Sequence, residues 1–223
     1  MSLVLKQDFI KRLLQNYLEI LIKKINLKKL NFLPKSSGNK IFQVYHLKKY
    51  QDYSKINLKK FSHVVEFGGG YGNMASIFHK INPKIKYTIF DTHEVSLLQF
   101  YYLNRLNLKV NFNKLNKKNN SINLISSINK LKTIISKITN NKKKLLIANW
   151  SISETPIEFR RQMFFLFKKF EYQLISFQKD FENIDNQEFF LEILKFNKSF
   201  KRKAKILPIE KMHNHFYLFS KKS

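Results

Sequence analysis

"HVVEFGGGYGNMASIF", from His63 to Phe78, gathers four of the chain's five glycines into five positions, two residues after an acidic side chain. The residues before the glycines are short, apolar and β-branched, the pattern of a buried strand. Those after them, Met74 to Ile81, carry apolar side chains at helical spacing, and Pro83 marks their end. The segment therefore reads as strand, glycine turn, helix. Glycine tolerates positive φ and lets another group approach the backbone closely. Gly68, Gly69, Gly70 and Gly72 thus predict a ligand held at the turn. Asp91 closes the next predicted strand, about 20 residues beyond the glycines, where a carboxylate suits two ribose hydroxyls.

The same alternation continues along the chain. "KYTIFD" (Lys86 to Asp91) is a second strand and "EVSLLQFYYLNRL" (Glu94 to Leu106) a helix with a broad apolar face. "LKVNFN" (Leu108 to Asn113) reads as a third strand. The Asn/Lys-rich stretch from Lys114 to Lys144 reads as solvated loops around one helix near Ile125 to Ile138. "KLLIANW" (Lys144 to Trp150) is a fourth, fully apolar and hence central strand. "ETPIEFRRQMFFLFKKF" (Glu154 to Phe170) reads as one helix with Pro near its start, where Pro is tolerated. "YQLISFQ" (Tyr172 to Gln178) is a fifth strand and Asn186 to Phe196 a helix. Two closing strands, Lys205 to Ile209 and His215 to Lys222, have no helix between them. This order predicts an α/β fold with a mostly parallel sheet, helices on both faces and an antiparallel C-terminal edge hairpin.

Residues 1–60 read as an N-terminal helical appendage to a domain spanning 61–223. Leu3 to Ile25 has apolar residues at helical spacing with lysines on its other faces, the pattern of a helix packed on the main domain or of a basic helix on a membrane surface. "LPKSSGNK" (Leu33 to Lys40) reads as a linker, and a short helix follows from Ile41 to Tyr53. No apolar stretch reaches bilayer length and no signal-peptide pattern is seen, so the expected location is the cytoplasm. The chain has no cysteine, which excludes disulfides, thiolate metal sites and a Cys nucleophile.

The formal net charge is +27. Such a charge invites a nucleic-acid partner, but the lysines are dispersed, Arg is scarce, and Lys, Asn, Ile and Phe are over-used together, as A/T-rich codons would produce. These features speak against nucleic acid. The basic surface does suit peripheral contact with an anionic membrane.

Dinucleotide binding is one reading of the turn. Its G-x-G-x-x-G pattern asks for glycine at Asn73 when counted from Gly68, or at Ala75, a permitted substitute, when counted from Gly70. Glu66 argues otherwise: a carboxylate there repels a pyrophosphate and suits a cationic amino-acid ligand. S-adenosylmethionine (SAM) carries an ammonium and a sulfonium and no phosphate. The order acidic-x-Gly-x-Gly-x-Gly resembles the first motif of class I methyltransferases, whose fold is Rossmann-like. In that resemblance Glu66, Gly68, Gly69, Gly70, Gly72 and Asp91 bind the donor.

"VVEFGGGYGNMA", "YTIFDTHEVSLLQFYYL", "IANWSISETPIEFR", "LISFQKDFENIDNQEFF" and "HNHFYLF", in order from Val64 to Phe219, together resemble the bacterial sugar O-methyltransferases of polysaccharide biosynthesis loci. The family commonly has Leu-Pro-Glu after the Asp, where this chain has Thr92-His93-Glu94. The resemblance implies SAM as cofactor and a sugar, nucleotide-sugar or glycan acceptor. The loop after the fourth strand has Asn149-Trp150-Ser151-Ile152 rather than the Asn/Asp-Pro-Pro-aromatic of amino-methylating enzymes. Glu154, following that strand, is the first candidate for the base that deprotonates the acceptor hydroxyl; an acidic residue at a helix start is its structural alternative. His93, then His213 or His215, come next. Trp150 is a candidate for stacking on the adenine or a sugar, or for the core, and Asp185 and Asn186 for acceptor binding or a turn. No metal site is expected. An RNA 2′-O-methyltransferase and a donor-binding fold without activity are the alternatives.

Overall fold

The computed structural model describes residues 38–112, 121–138 and 143–223. The predicted helix Leu3 to Ile25 and most of the predicted linker lie outside the described residues. The chain divides into two compact units, Met1–Lys48 and Lys49–Ser223, and the sheet belongs to the second.

Helix α1 (Gly38–Ser54) starts at the end of the expected linker. Near its C-terminus the Tyr50 and Tyr53 hydroxyls donate to the backbone oxygens of Ser220 and Lys203, each at 2.8 Å. After a 3₁₀ turn come β1 (His63–Phe67), α2 (Asn73–Ile81), β2 (Lys86–Phe90), α3 (His93–Arg105), β3 (Val110–Phe112), β4 (Ile122–Ile125) and α4 (Ile128–Ser136). Then follow β5 (Lys144–Asn149), α5 (Ile157–Gln162), α6 (Phe164–Lys169), β6 (Tyr172–Gln178), the two-residue strands β7 (Asp180–Phe181) and β8 (Ile184–Asp185), α7 (Asn186–Ser199), β9 (Lys203–Pro208) and β10 (His215–Lys221).

Eight strands form one sheet in the order β3-β4-β2-β1-β5-β6-β10-β9. All neighbouring pairs from β3 to β6 are parallel; β10 runs antiparallel to both β6 and β9. From β1 the chain builds outward through β2 to the edge strand β3, returns to β4 between β3 and β2, then crosses back to β5 on the other side of β1. This reversal lies between β1 and β5, and ligands in open α/β sheets bind above the carboxyl ends of the strands at such a point. β1 is buried along its whole length and β5 along all but its last residue, because parallel strands are covered on both faces.

The structure corrects three sequence-level expectations. The stretch from Lys114 to Lys144 contains strand β4 before its helix. Ile122–Ile125 is wholly buried between β3 and β2, but four residues inside an Asn/Lys-rich run give too short an alternation to stand out. Among the described residues, the Leu108 to Asn113 strand is limited to three half-buried edge residues, Val110–Phe112. The single helix expected from Glu154 to Phe170 is two helices meeting at Met163. The apolar spacing of Phe159, Met163, Leu166, Phe167 and Phe170 runs straight across the break, and the last four are fully buried.

The C-terminal half of the core is largely aromatic. Phe177 of β6 stacks on Phe190 of α7 at 4.0 Å between centroids. Arg202, almost fully buried, donates to the backbone oxygens of Phe167, Lys168 and Phe170. It thereby satisfies carbonyls that the end of α6 leaves free and places a cation at the negative end of that helix.

Candidate active site

A cavity of about 650 Å³ opens at the carboxyl edge of the sheet. Its walls come from the ends of β1, β2, β4 and β5 and the loops that follow them: Phe67 and Gly68, Phe90 to Thr92, Ser126, and Asn149, Ser151 and Glu154 among others. Val95, Ile128 and Phe159 close its apolar sides.

The four glycines serve different ends. A Cβ on Gly68 would lie 2.2 Å from the Ser151 Cβ. Ser151 sits this close because its hydroxyl donates to the Phe67 backbone oxygen, tying the β5 loop to the end of β1. A Cβ on Gly69 would meet Ile89 at 2.6 Å, and one on Gly72 would crowd Leu103 at 3.0 Å. Gly70 differs. Its φ is +51°, and an added Cβ would meet nothing within 4 Å. Packing against the protein therefore accounts for Gly68, Gly69 and Gly72. Gly70 is the position whose backbone faces open cavity.

Asp91 anchors the loop. Its Oδ2 accepts from the Gly69 amide at 2.9 Å and from Gln99 Nε2 at 2.8 Å, and its Oδ1 accepts from the Thr92 amide at 2.9 Å. The same Gln99 nitrogen donates to the Gly70 oxygen at 3.0 Å. Burial pushes the Asp91 carboxyl above its ordinary value, and these donors pull it back. A carboxylate offers about four lone-pair sites, of which three are in use. Glu66 lies beneath the loop rather than on the cavity wall. It is 3% exposed and accepts from the Tyr87 hydroxyl at 2.8 Å. Burial is the main cause that pushes its pKa up to about 8; the Tyr87 hydrogen bond opposes this and the Asp91 charge adds to it.

On the opposite wall, Glu154 reaches the cavity from an exposed position. The protein still crowds its carboxyl enough to raise its pKa, against a hydrogen bond from Gln178. The loop that carries Glu154 is held from below by Arg160, which is fully buried. Its guanidinium donates to the Ser153 oxygen at 2.8 Å, to the Thr155 oxygen at 2.7 Å and to Asn186 Oδ1. It thus grips both carbonyls that flank Glu154. Ser153 also donates to Gln178 Oε1 at 2.8 Å.

Gly68, Gly70, Asp91 and Glu154 share the cavity. Gly69, Gly72 and Glu66 support its floor from behind. Trp150 stands beside it with φ +62°, unusual for a bulky residue, and its Nε1 donates to His215 Nδ1 at 2.8 Å. Burial holds the His215 imidazole below its ordinary pKa. His93 is at the start of α3, its ring edge-on to Phe112 at 5.3 Å. His213 is exposed in the β9–β10 turn. Neither His93 nor His213 lines the cavity. Asp185 caps α7 by accepting from the Gln187 amide, and Asn186 is buried against Arg160. Among the described residues no group of His, Asp and Glu could hold a metal ion.

Gln99, Ser151 and Arg160 were not among the sequence candidates. Nothing in the sequence pattern marked Gln99, a single amide in a helix with a broad apolar face; the other two depend on contacts distant in sequence.

The sequence matches no protein-family model and no curated protein. Solved structures do match. A magnesium protoporphyrin IX methyltransferase from Synechocystis PCC 6803 with bound SAM aligns at TM-score 0.54 and 11% identity, over 87% of this chain and 85% of that one. A precorrin-6y C5,15-methyltransferase from Geobacter metallireducens aligns at 0.53 and 9%, over 81% and 87%. A SAM-dependent methyltransferase from Aquifex aeolicus aligns at 0.51 and 16%, over 80% and 88%. The fold is therefore the Rossmann-like fold of class I methyltransferases, with a mostly parallel sheet and an antiparallel C-terminal strand pair.

Proposed function

We propose that this chain is a SAM-dependent O-methyltransferase whose acceptor is a sugar hydroxyl, carried on a sugar, nucleotide sugar or glycan of cell-surface polysaccharide synthesis. In this reading residues 61–223 are the methyltransferase domain and residues 1–60 an N-terminal appendage. The observation that carries the donor assignment is Gly70: a left-handed backbone position open to a 650 Å³ cavity at the sheet's switch point, beside Asp91. The sugar assignment rests on the order of sequence motifs from Val64 to Phe219.

The residues fit the donor. Asp91 keeps about one lone-pair site for a ribose hydroxyl and takes a second when Gln99 lets go. Glu66, which keeps its proton up to about pH 8, supports the loop from below through Tyr87 rather than as a negative charge. SAM, when bound, contributes an electrophilic methyl group on a positively charged sulfur. The protein's part is to hold the hydroxyl oxygen in line with that methyl and to keep water out with Phe67, Phe90 and Phe159. Positioning of this kind contributes roughly 7–11 kcal/mol. Glu154 accepts the hydroxyl proton, worth about 10²–10⁴ in rate. Its raised pKa brings it nearer to neutral pH, where a base works best. Trp150, braced by His215, flanks the acceptor side.

The test is transfer of a labelled methyl group from SAM to a panel of nucleotide sugars and bacterial surface glycans, with ribosomal and transfer RNA alongside. Label on a sugar oxygen is the expected result. Label only on RNA, or donor binding with no transfer to any acceptor, would replace the sugar reading.

A further inference from the structure

Helix α3 is packed inside out. It buries Ser96, Gln99 and Leu103, and turns Leu97, Leu98 and Tyr101 to solvent at 50%, 43% and 66% exposure. The buried face has a reason: Gln99 must reach Asp91 and the Gly70 carbonyl. Among the described residues nothing covers the exposed face. At 3.6 residues per turn, Leu97, Leu98 and Tyr101 form one stripe opposite the buried one. Phe100, 40% exposed, lies at its margin against Phe112, and Tyr71 of the glycine turn adds a 53% exposed ring next to Tyr102.

We propose that this face docks on an anionic lipid surface. Three features select that occupant. The stripe itself is apolar and aromatic, which suits insertion at the acyl boundary of a bilayer better than the charged, hydrogen-bonding surface of RNA. A net charge of +27 opposes pairing with a second copy. The same charge favours an anionic bilayer, and the local pattern agrees. Exposed Arg105 and Lys109 follow the stripe at its C-terminal end. Glu94, at the other end, is the opposing charge on the helix. An apolar stripe with basic residues beside it binds the headgroup region through buried area plus attraction to anionic lipid. Thr92 and Val95, at the start of the same helix, line the cavity, so a bilayer held against α3 lies beside the site.

The test is co-sedimentation of the full-length protein with phosphatidylglycerol/phosphatidylcholine vesicles and with pure phosphatidylcholine vesicles. The comparison protein carries Leu97→Ser, Leu98→Ser and Tyr101→Ser together. The wild type should partition onto the phosphatidylglycerol vesicles, more weakly as salt rises, and the triple variant at least tenfold less. S-adenosylhomocysteine binding by the variant, measured by calorimetry, should match wild type, which establishes that fold and cavity are intact. No partition by the wild type, or equal partition by the variant, overturns the proposal. So does a wild-type dimer that the three substitutions dissociate in sedimentation velocity, or an RNA affinity that they abolish. The vesicle result stands apart from the methyl-donor reading, which fails only if the wild type does not bind S-adenosylhomocysteine.

Discussion

Replacing Glu66 with Gln probes the carboxyl group beneath the glycine turn. In the fold its pKa is pushed up to about 8, against 4.5 ordinarily, chiefly by burial. Below pH 4.5 the group holds its proton in both folded and unfolded chains. Between 4.5 and about 8 the folded protein keeps a proton that the unfolded chain has released. Stability from this group is therefore fully present at low pH and declines as pH rises, by about 1.4 kcal/mol per pH unit. From pH 5 to pH 8 the loss amounts to at most about 4 kcal/mol, an upper value because a buried charge draws relaxation and water. Glu66→Gln removes the proton but keeps an oxygen for the Tyr87 hydroxyl. Urea unfolding of both proteins at pH 5, 6, 7 and 8, at constant ionic strength, should show the variant gaining on the wild type by several kcal/mol as pH rises. Parallel pH profiles would refute the reasoning, since a group that changes its proton affinity on folding must bend the wild-type curve.

The remaining predictions concern the cavity. Gly70→Leu should abolish calorimetrically measured SAM binding while circular dichroism stays native, because the side chain enters open space rather than the core. Gln99→Leu frees Asp91 and the Gly70 carbonyl from their shared donor and leaves that carbonyl short of a partner; it should weaken S-adenosylhomocysteine binding about tenfold, measured by calorimetry. Glu154→Gln should lower methyl transfer at least tenfold with donor affinity nearly unchanged, and should flatten the acid limb of the pH–rate profile, since the raised carboxyl must be ionised to act; a wild-type rate would remove Glu154 from the chemistry.

The central strands were legible because burial on both faces makes β1, β5 and β6 rich in apolar and β-branched residues, with few polar interruptions. β4 was not, since its four residues sit in polar company. The glycine cluster announced a site, but its division of labour rests on neighbours far along the chain: Ser151 against Gly68, Ile89 against Gly69, Leu103 against Gly72. Asp91 and Glu154 were found from their places after strand ends, and both line the cavity. His93 and His213 had only proximity in sequence to recommend them, and helix and turn geometry carries them to the outside. α3 reads as an ordinary amphipathic helix, yet a buried Gln99 turns its apolar stripe outward. Periodicity marks such a stripe without saying which side the rest of the protein occupies.

Titration of the purified protein with SAM, S-adenosylhomocysteine and NAD in a calorimeter tests the central claim most directly. Stoichiometric binding of the first two and none of NAD is the predicted result, and it would identify the open backbone at Gly70 as the seat of a methyl donor. NAD binding, or no binding of either sulfur ligand, would contradict the account.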